Sequence, residues 1–187
     1  DKVGIDGWVN SHQEAHALRN GLAESGLELV TMTEDIFDAL WKDRPSLPKT
    51  PIFILDETRT GASCTEKIGR IQEAIAKNGA SAIILSALDE IAWTLNLRGS
   101  DVHCNPVFIS YLLISKEGHT LYILEEKITD EVRAYLDKHQ VGIKTYSRLA
   151  EDLFAFKNNR EGVLQISPLA NEALYDLSSQ YADTLIA

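Results

Sequence analysis

Residues 107–115, VFISYLLIS, are apolar at successive rather than alternate positions, so a strand there buries both of its faces and needs a layer on each side. The stretch leading into it supplies one covering element. Leu88, Ile91, Ala92 and Leu95 recur at i, i+3, i+4 and i+7, one apolar face of a helix. Ser86 is set as its N-cap, with Asp89 in the capping-box position and Glu90 adding charge to the favourable end of the dipole. Gly99 is placed to end the helix. Between helix and strand lies a polar loop, Arg98 to Pro106, holding two opposite charges, a histidine, a cysteine and an Asn-Pro turn signal.

The rest of the chain repeats strand and helix patterns around that unit. KVGID reads as a short strand, residues 11–25 as a helix closed by Gly26, LELVTM as a second strand, and TEDIFDALW as a helix capped at Thr33. Arg44 to Pro51 carries three prolines in eight residues and continues neither element, which marks a domain linker. PIFIL is apolar but too short to assign. Residues 63–77 form a helix with Ile68, Ile71 and Ile75 on one face, and ASAIILS a buried strand. Past the central strand, Lys116-Glu117-Gly118 turns the chain into HTLYILEE, an antiparallel partner. TDEVRAYLDKHQ is a helix capped at Thr129, VGIKTYS a strand, SRLAEDLFAF a helix, GVLQIS a strand and LANEALYDLSS a last helix. This alternation with one hairpin predicts an α/β sheet covered by helices. The two strands and two helices before the linker are too few to stand alone.

Charge and cysteine content narrow the partners. A net charge of −10 with scattered basic residues argues against nucleic acid, and no apolar run approaches a membrane span. Two cysteines, Cys64 and Cys104, make neither a disulfide framework nor a zinc site, so a reducing, cytoplasmic setting is expected. No signal peptide opens the chain, and its start at Asp1 suggests a trimmed chain.

Candidate chemistry is sparse. His12 and His16 are four apart on a predicted helix, but the metalloprotease glutamate position holds Gln13, and both histidines are expected on the solvated face. Glu14, Asp35, Glu125, Glu126 and Asp152 are dispersed on predicted surfaces. Ser63 lacks the flanking glycines of a nucleophile elbow, no glycine-rich phosphate loop is present, and Trp8, Trp41 and Trp93 are expected in the core. The loop remains, with Arg98, Asp101, His103 and Asn105. In one reading Arg98 and Asp101 pair, Asp101 or Ser100 bonds the backbone, and Asn105-Pro106 sets the turn. In the other the loop is a rim touching a ligand or another domain. Three nearly adjacent residues such as Asp101, His103 and Cys104 seldom converge on a metal.

The run A-L-D-E-I-A-W-x-L-N-L-R-G-S-D-x-x-x-N-P-V-F, Ala87 to Phe108, resembles the second domain of long, three-domain aminopeptidases P (Xaa-Pro aminopeptidases) of the creatinase/prolidase superfamily. V-G-I-D at Val3–Asp6, W-K-D-R-P at Trp41–Pro45, and T-G-x-S at Thr60–Ser63 followed by Lys67 resemble the same family in the same order. The resemblance implies a creatinase N-terminal-like (ribonuclease H-like) mixed sheet with helices on both faces over residues 49–187. Residues 1–48 would then be the trailing half of a similar first domain. Such enzymes remove the N-terminal residue from peptides with proline second, using two divalent metal ions, usually manganese, in a C-terminal catalytic domain. No catalytic or metal residue of this chain corresponds to that domain's ligands, so the chain by itself is expected to be inactive. Its expected partners are its own catalytic domain, the peptide substrate and a second subunit. A stand-alone acidic α/β binding module is the alternative from a different class.

Overall fold

The computed structural model describes residues 1–187 except 33, 36, 38, 39, 160, 161 and 182. Its elements in chain order are β1 (Lys2–Asp6), α1 (His12–Glu24), β2 (Glu28–Met32), β3 (Phe53–Ile54), α2 (Glu57–Thr60), α3 (Cys64–Lys77), β4 (Ala82–Leu85), α4 (Leu88–Leu95) and β5 (Leu97–Arg98). They continue with β6 (Tyr111–Ser115), β7 (His119–Ile123), α5 (Asp130–Lys138), β8 (Val141–Thr145), α6 (Leu149–Asn159), β9 (Val163–Ile166), α7 (Glu172–Tyr181) and β10 (Asp183–Ile186).

The two-faced strand sits where its composition demands. The main sheet has the order β10-β9-β4-β6-β7-β8, and β6 lies inside it, antiparallel to both β4 and β7. Leu112 and Ile114 of β6 join Ile68, Ile91, Leu95, Leu121, Ile123 and Leu136 in a core under α3, α4 and α5. Tyr111 and Leu113 point the other way, into a core with Ile84, Tyr122, Leu153, Leu164 and Leu174 under α6 and α7. Both layers exclude water from a sheet whose other neighbouring pairs are parallel. The expected mixed sheet with helices on both faces is thus what the sequence builds.

Caps explain several helix starts. Ser11 and Glu14 form a reciprocal capping box on α1, Ser63 accepts from the Glu66 N–H at α3, and Thr129 accepts from the Val132 N–H at α5. α4 starts and ends differently from its sequence signals. Ala87, not Ser86, stands at the N-cap and offers no side-chain bond. That helix ends at Asn96 in the left-handed region (φ 53°), before Gly99 is reached, because Asn tolerates that conformation and its amide is held by neighbours described below. The central strand is also shorter than its apolar run, starting at Tyr111. PIFIL becomes β3, which pairs antiparallel with β5. β10, not anticipated, adds an edge strand parallel to β9.

Of the predicted helix over 33–41, Thr33, Ile36, Asp38 and Ala39 lie outside the described residues. Phe37 accepts the Trp41 N–H there at 2.8 Å. Trp8, Trp41 and Trp93 are 43, 49 and 46 % exposed, so none is a core residue. Each sits at the margin of an apolar pattern, where an indole covers neighbours while keeping one edge wet.

β1 and β2 form their own parallel pair, which is too small to bury a core and takes its cover from α7. Gly7 permits the approach: a Cβ there would lie 2.6 Å from Thr31 and 3.2 Å from the Ala173 backbone. The Ala173 and Glu172 N–H groups donate to Gly7 and Asn10 carbonyls, each at 2.9 Å. Glu172, with its side chain 1 % exposed, accepts from Arg19 at 2.6 Å and pairs with His12 Nδ1 at 2.7 Å. His12 is therefore a largely buried docking residue in tilted ring contact with Tyr175, not a member of a solvated face. Glu172→Gln is expected to lower stability by about 2 kcal/mol, the buried-pair value discounted for the partly exposed Arg19. Hydrogen exchange should show α1 amides losing protection first, with β6 amides following only the global change.

Candidate functional site

The loop from Arg98 to Phe108 is built from its two arms inward. Gly99 donates to the Pro106 carbonyl at 3.2 Å and Asp101 to the Val107 carbonyl at 3.1 Å, which closes the arms on each other. A Cβ on Gly99 would stand 2.8 Å from Phe108 Cβ and 3.0 Å from the Val107 oxygen. Glycine is required at 99 by this close approach, not by the end of a helix. Beyond the arms, Val102 to Asn105 make a tight turn with the Asn105 N–H on the Val102 carbonyl at 3.1 Å. Cys104 takes φ +60° at its tip, one residue before the expected Asn-Pro turn signal.

The four candidate residues separate into two pairs. Arg98 and Asp101 do not pair with each other. The Arg98 guanidinium donates to the Ala92 carbonyl at the C-terminal end of α4 and to the Leu97 carbonyl of β5, each at 2.8 Å. Asp101 is turned inward with a fully buried side chain and forms an ion pair with the equally buried Lys127. Its second oxygen accepts the Ile109 N–H at 2.7 Å, the backbone bond expected of it. Lys127 also reaches the Thr50 carbonyl at 3.4 Å, while its own carbonyl accepts the Ile52 N–H at 3.0 Å. One buried pair therefore ties the loop, the exit of the proline-rich linker and the β7–α5 connection. His103 and Asn105 remain exposed at the turn.

A second buried cation lies beside the loop. Lys67 of α3 is 1 % exposed and donates to the Trp93 carbonyl at 2.9 Å and to Asn96 Oδ1 at 2.5 Å. Its ammonium lies 4.5 Å from the Trp93 ring centroid. Asn96 in turn donates to the Ala62 carbonyl at 2.9 Å. Burial, with the charge of Arg98 adding to it, holds the Lys67 pKa below the usual lysine range. The carbonyl end of α4 and the indole face take the place of a counterion. Next to it the Cys64 thiol is pushed up to about 12 by burial, which removes it as a nucleophile at neutral pH.

No spacing or motif chemistry in the sequence marks Lys127, Asn96 or Glu172 as buried polar anchors, and Lys67 stands out only beside the T-G-x-S match. A signal existed for Lys67 alone. It falls on the face shared by Cys64, Ile68, Ile71 and Ile75, where a charged residue must find a buried partner. The scattered carboxylates are partnered: Glu14 caps α1, Asp35 pairs with Arg44, Glu125 with Arg133, Glu126 with Lys49, and Asp152 with Lys144 and the Tyr122 hydroxyl. Among the described residues no three His, Cys, Asp or Glu converge to hold a metal, and no helix is long and apolar enough to cross a membrane.

Lys127→Met leaves Asp101 buried without its cation and is expected to cost about 3–5 kcal/mol in urea denaturation. Combining it with Asp101→Leu should recover most of that loss, because no isolated charge then remains. The histidines give a separate readout. His119 Nδ1 and His139 Nε2 are buried without hydrogen-bond partners, and burial holds both pKa values below the usual histidine range, with Lys138 adding to the effect at His139. Folding favours the neutral rings, so their contribution is full above the unfolded value near 6.5 and is lost as pH falls through the lower folded values. The urea midpoint should fall between pH 6.5 and 5, and replacing both histidines by Gln should flatten that slope.

The geometry can be set beside known proteins. The family described as the creatinase/prolidase N-terminal domain matches residues 43–186. A protein of Coprinopsis cinerea named probable Xaa-Pro aminopeptidase P is 39 % identical over 153 residues, covering 81 % of this chain and 24 % of that protein. Its namesake in Aspergillus niger is 36 % identical over 181 residues, 94 % of this chain and 29 % of that protein. The chain thus spans about a quarter of the length of the relatives it matches. The crystal structure of X-prolyl aminopeptidase from Caenorhabditis elegans, described as a cytosolic enzyme with a di-nuclear active site, superposes with TM-score 0.89. It is 25 % identical and the match covers 100 % of this chain and 31 % of that one. Xaa-Pro dipeptidase from Bacillus anthracis shares the fold at TM-score 0.52 and 15 % identity, over 67 % of this chain and 34 % of that one. With 144 of its 187 residues inside the matched span (43 to 186), the chain belongs to the creatinase/prolidase N-terminal domain family.

Proposed function

We propose that this chain is the N-terminal, non-catalytic region of a metal-dependent Xaa-Pro aminopeptidase, which removes the N-terminal residue from peptides with proline second. The observation that carries the reading is the likeness to the Caenorhabditis elegans X-prolyl aminopeptidase over the whole of this chain. Residues 1–48 are the trailing half of a first creatinase-like domain and 49–187 the second. The prolines of 44–51 and the separate β1–β2 pair support that division. The reaction uses two divalent metal ions, manganese by the family resemblance, held by a catalytic domain that this chain does not include. The region shapes access to that site and assists subunit assembly in the cytoplasm. Because Arg98 and Asp101 are committed to the fold, the rim role passes to the exposed turn, with His103 and Asn105 facing the cleft mouth or the catalytic domain.

The test is to express the complete product of the gene and the 1–187 chain, and assay both with Mn²⁺ on an Xaa-Pro peptide. Turnover by the complete product and none by 1–187 is expected. Clear turnover by 1–187 alone, or a complete product without Xaa-Pro hydrolysis, overturns the reading. In the complete product His103→Ala with Asn105→Ala should raise KM at unchanged melting temperature, and wild-type kinetics would remove the rim role.

A further inference from the structure

On the face covered by α3 and α4, the sheet extends past its helices. β9 turns Gln165 to that side in register with Ile83 of β4, where Asn78 at the end of α3 donates to its Oε1 at 3.1 Å. The result is a groove of about 360 Å³ walled by Ile71, Ala74 and Ile75 of α3, Ile83, and Trp93 and Thr94 of α4. Two polar groups stand out against those apolar walls. Thr94 is 1 % exposed and its buried Oγ1 has no hydrogen-bond partner, a deficit that folded proteins seldom leave. Glu90 lines the groove with no cation paired to it among the described residues. Ala187 lies on the same wall, its N–H on the Ile166 carbonyl at 3.2 Å.

We infer that this groove seats an amphipathic segment of the parent polypeptide, placing aliphatic side chains on Ile71, Ile75 and Ile83, a Lys or Arg at Glu90 and a hydrogen-bonding group on Thr94 Oγ1. This rests on the aminopeptidase reading, since the relatives carry about three-quarters of their length outside the matched span. Ala187 puts the polypeptide that follows it, in such a parent, within reach of the groove from its first residues. The other occupants fit less well. A small-molecule pocket converges several polar groups in an enclosed site, whereas here the site is an open groove, and of its polar lining, Ser86, Glu90, Thr94, Gln165 and Ser167, only the Thr94 hydroxyl is buried without a partner. A second copy of a chain with net charge −10 brings like charge toward Glu90 and supplies no excess of cations to neutralise it.

Hydroxyl-radical footprinting at Trp93, read by mass spectrometry, compares the 1–187 chain with the complete gene product. Trp93 is 46 % exposed in 1–187, and its modification rate should drop at least about threefold in the complete product, as expected of a side chain at the dry centre of an interface. Ala74→Glu, at an exposed wall position, should leave the melting temperature of 1–187 unchanged but lower that of the complete product and restore Trp93 modification. Equal Trp93 rates in the two proteins overturn the groove assignment. Protection in 1–187 that rises with its own concentration also overturns it, in favour of self-association. Because Xaa-Pro turnover is scored separately, retained turnover with an unprotected Trp93 sinks the groove alone. A gene product with no turnover and no following segment sinks both.

Discussion

The structure depends on one constraint: β6 cannot be left with either face in water. Leu112 and Ile114 on one side and Tyr111 and Leu113 on the other are all buried, so two helical layers are obligatory. Each aliphatic side chain that leaves water there contributes roughly 1.5–3 kcal/mol, against roughly 0.5–1.5 kcal/mol net for an ordinary neutral hydrogen bond. The placement of α3, α4 and α5 over one face and α6 and α7 over the other follows from that requirement. So does the central position of β6, since an edge strand would leave its hydrogen-bonding groups and its apolar rows open.

Hydrophobic layers fix where the helices lie, and buried polar groups fix how the irregular segments attach to them. Three such groups recur with the same logic. Asp101 and Lys127 fasten the loop and the linker exit; Lys67 and Asn96 fasten α3 to the end of α4; Glu172 fastens the first segment to α7 through Arg19 and His12. Burying a charge is costly, and such pairs rarely outdo a well-packed apolar alternative in stability. What they add is directional: an ammonium that must find its acceptors admits one arrangement of loop and helix, where an aliphatic cluster admits several.

The polar loop from Arg98 to Asn105 is anchored by the same buried groups. A stretch holding Arg, Asp, His, Cys and Asn within eight residues invites a catalytic reading, yet its two charged groups are committed to the fold. Arg98 serves the carbonyl end of a helix and Asp101 a buried cation, while Ser100 and the turn from Val102 to Asn105 face outward. The exposed turn is thereby held in place by a rigid base, which is the feature the proposed rim role draws on.

How much of this was legible in the chain follows from the range of each interaction. Periodicity, caps and turn residues are local, and they gave most helices, the hairpin at Lys116–Gly118, the two-faced strand and the mixed, doubly covered sheet. Local signals failed where a distant partner decided. Gly99 looked like a helix stop and is a close-approach residue against Phe108; Trp93 looked like core and shields Lys67 from the margin; the end of α4 moved to Asn96 because Lys67, twenty-nine positions earlier, grips its side chain. β10 was missed because its pairing with β9, not its own four residues, makes it a strand. The sequence by itself determined the layers and the family resemblance, since both are written in spacing and motif. Only the tertiary structure decided that Asp101 meets Lys127 and not Arg98, because burial selects the partner and spacing along the chain does not.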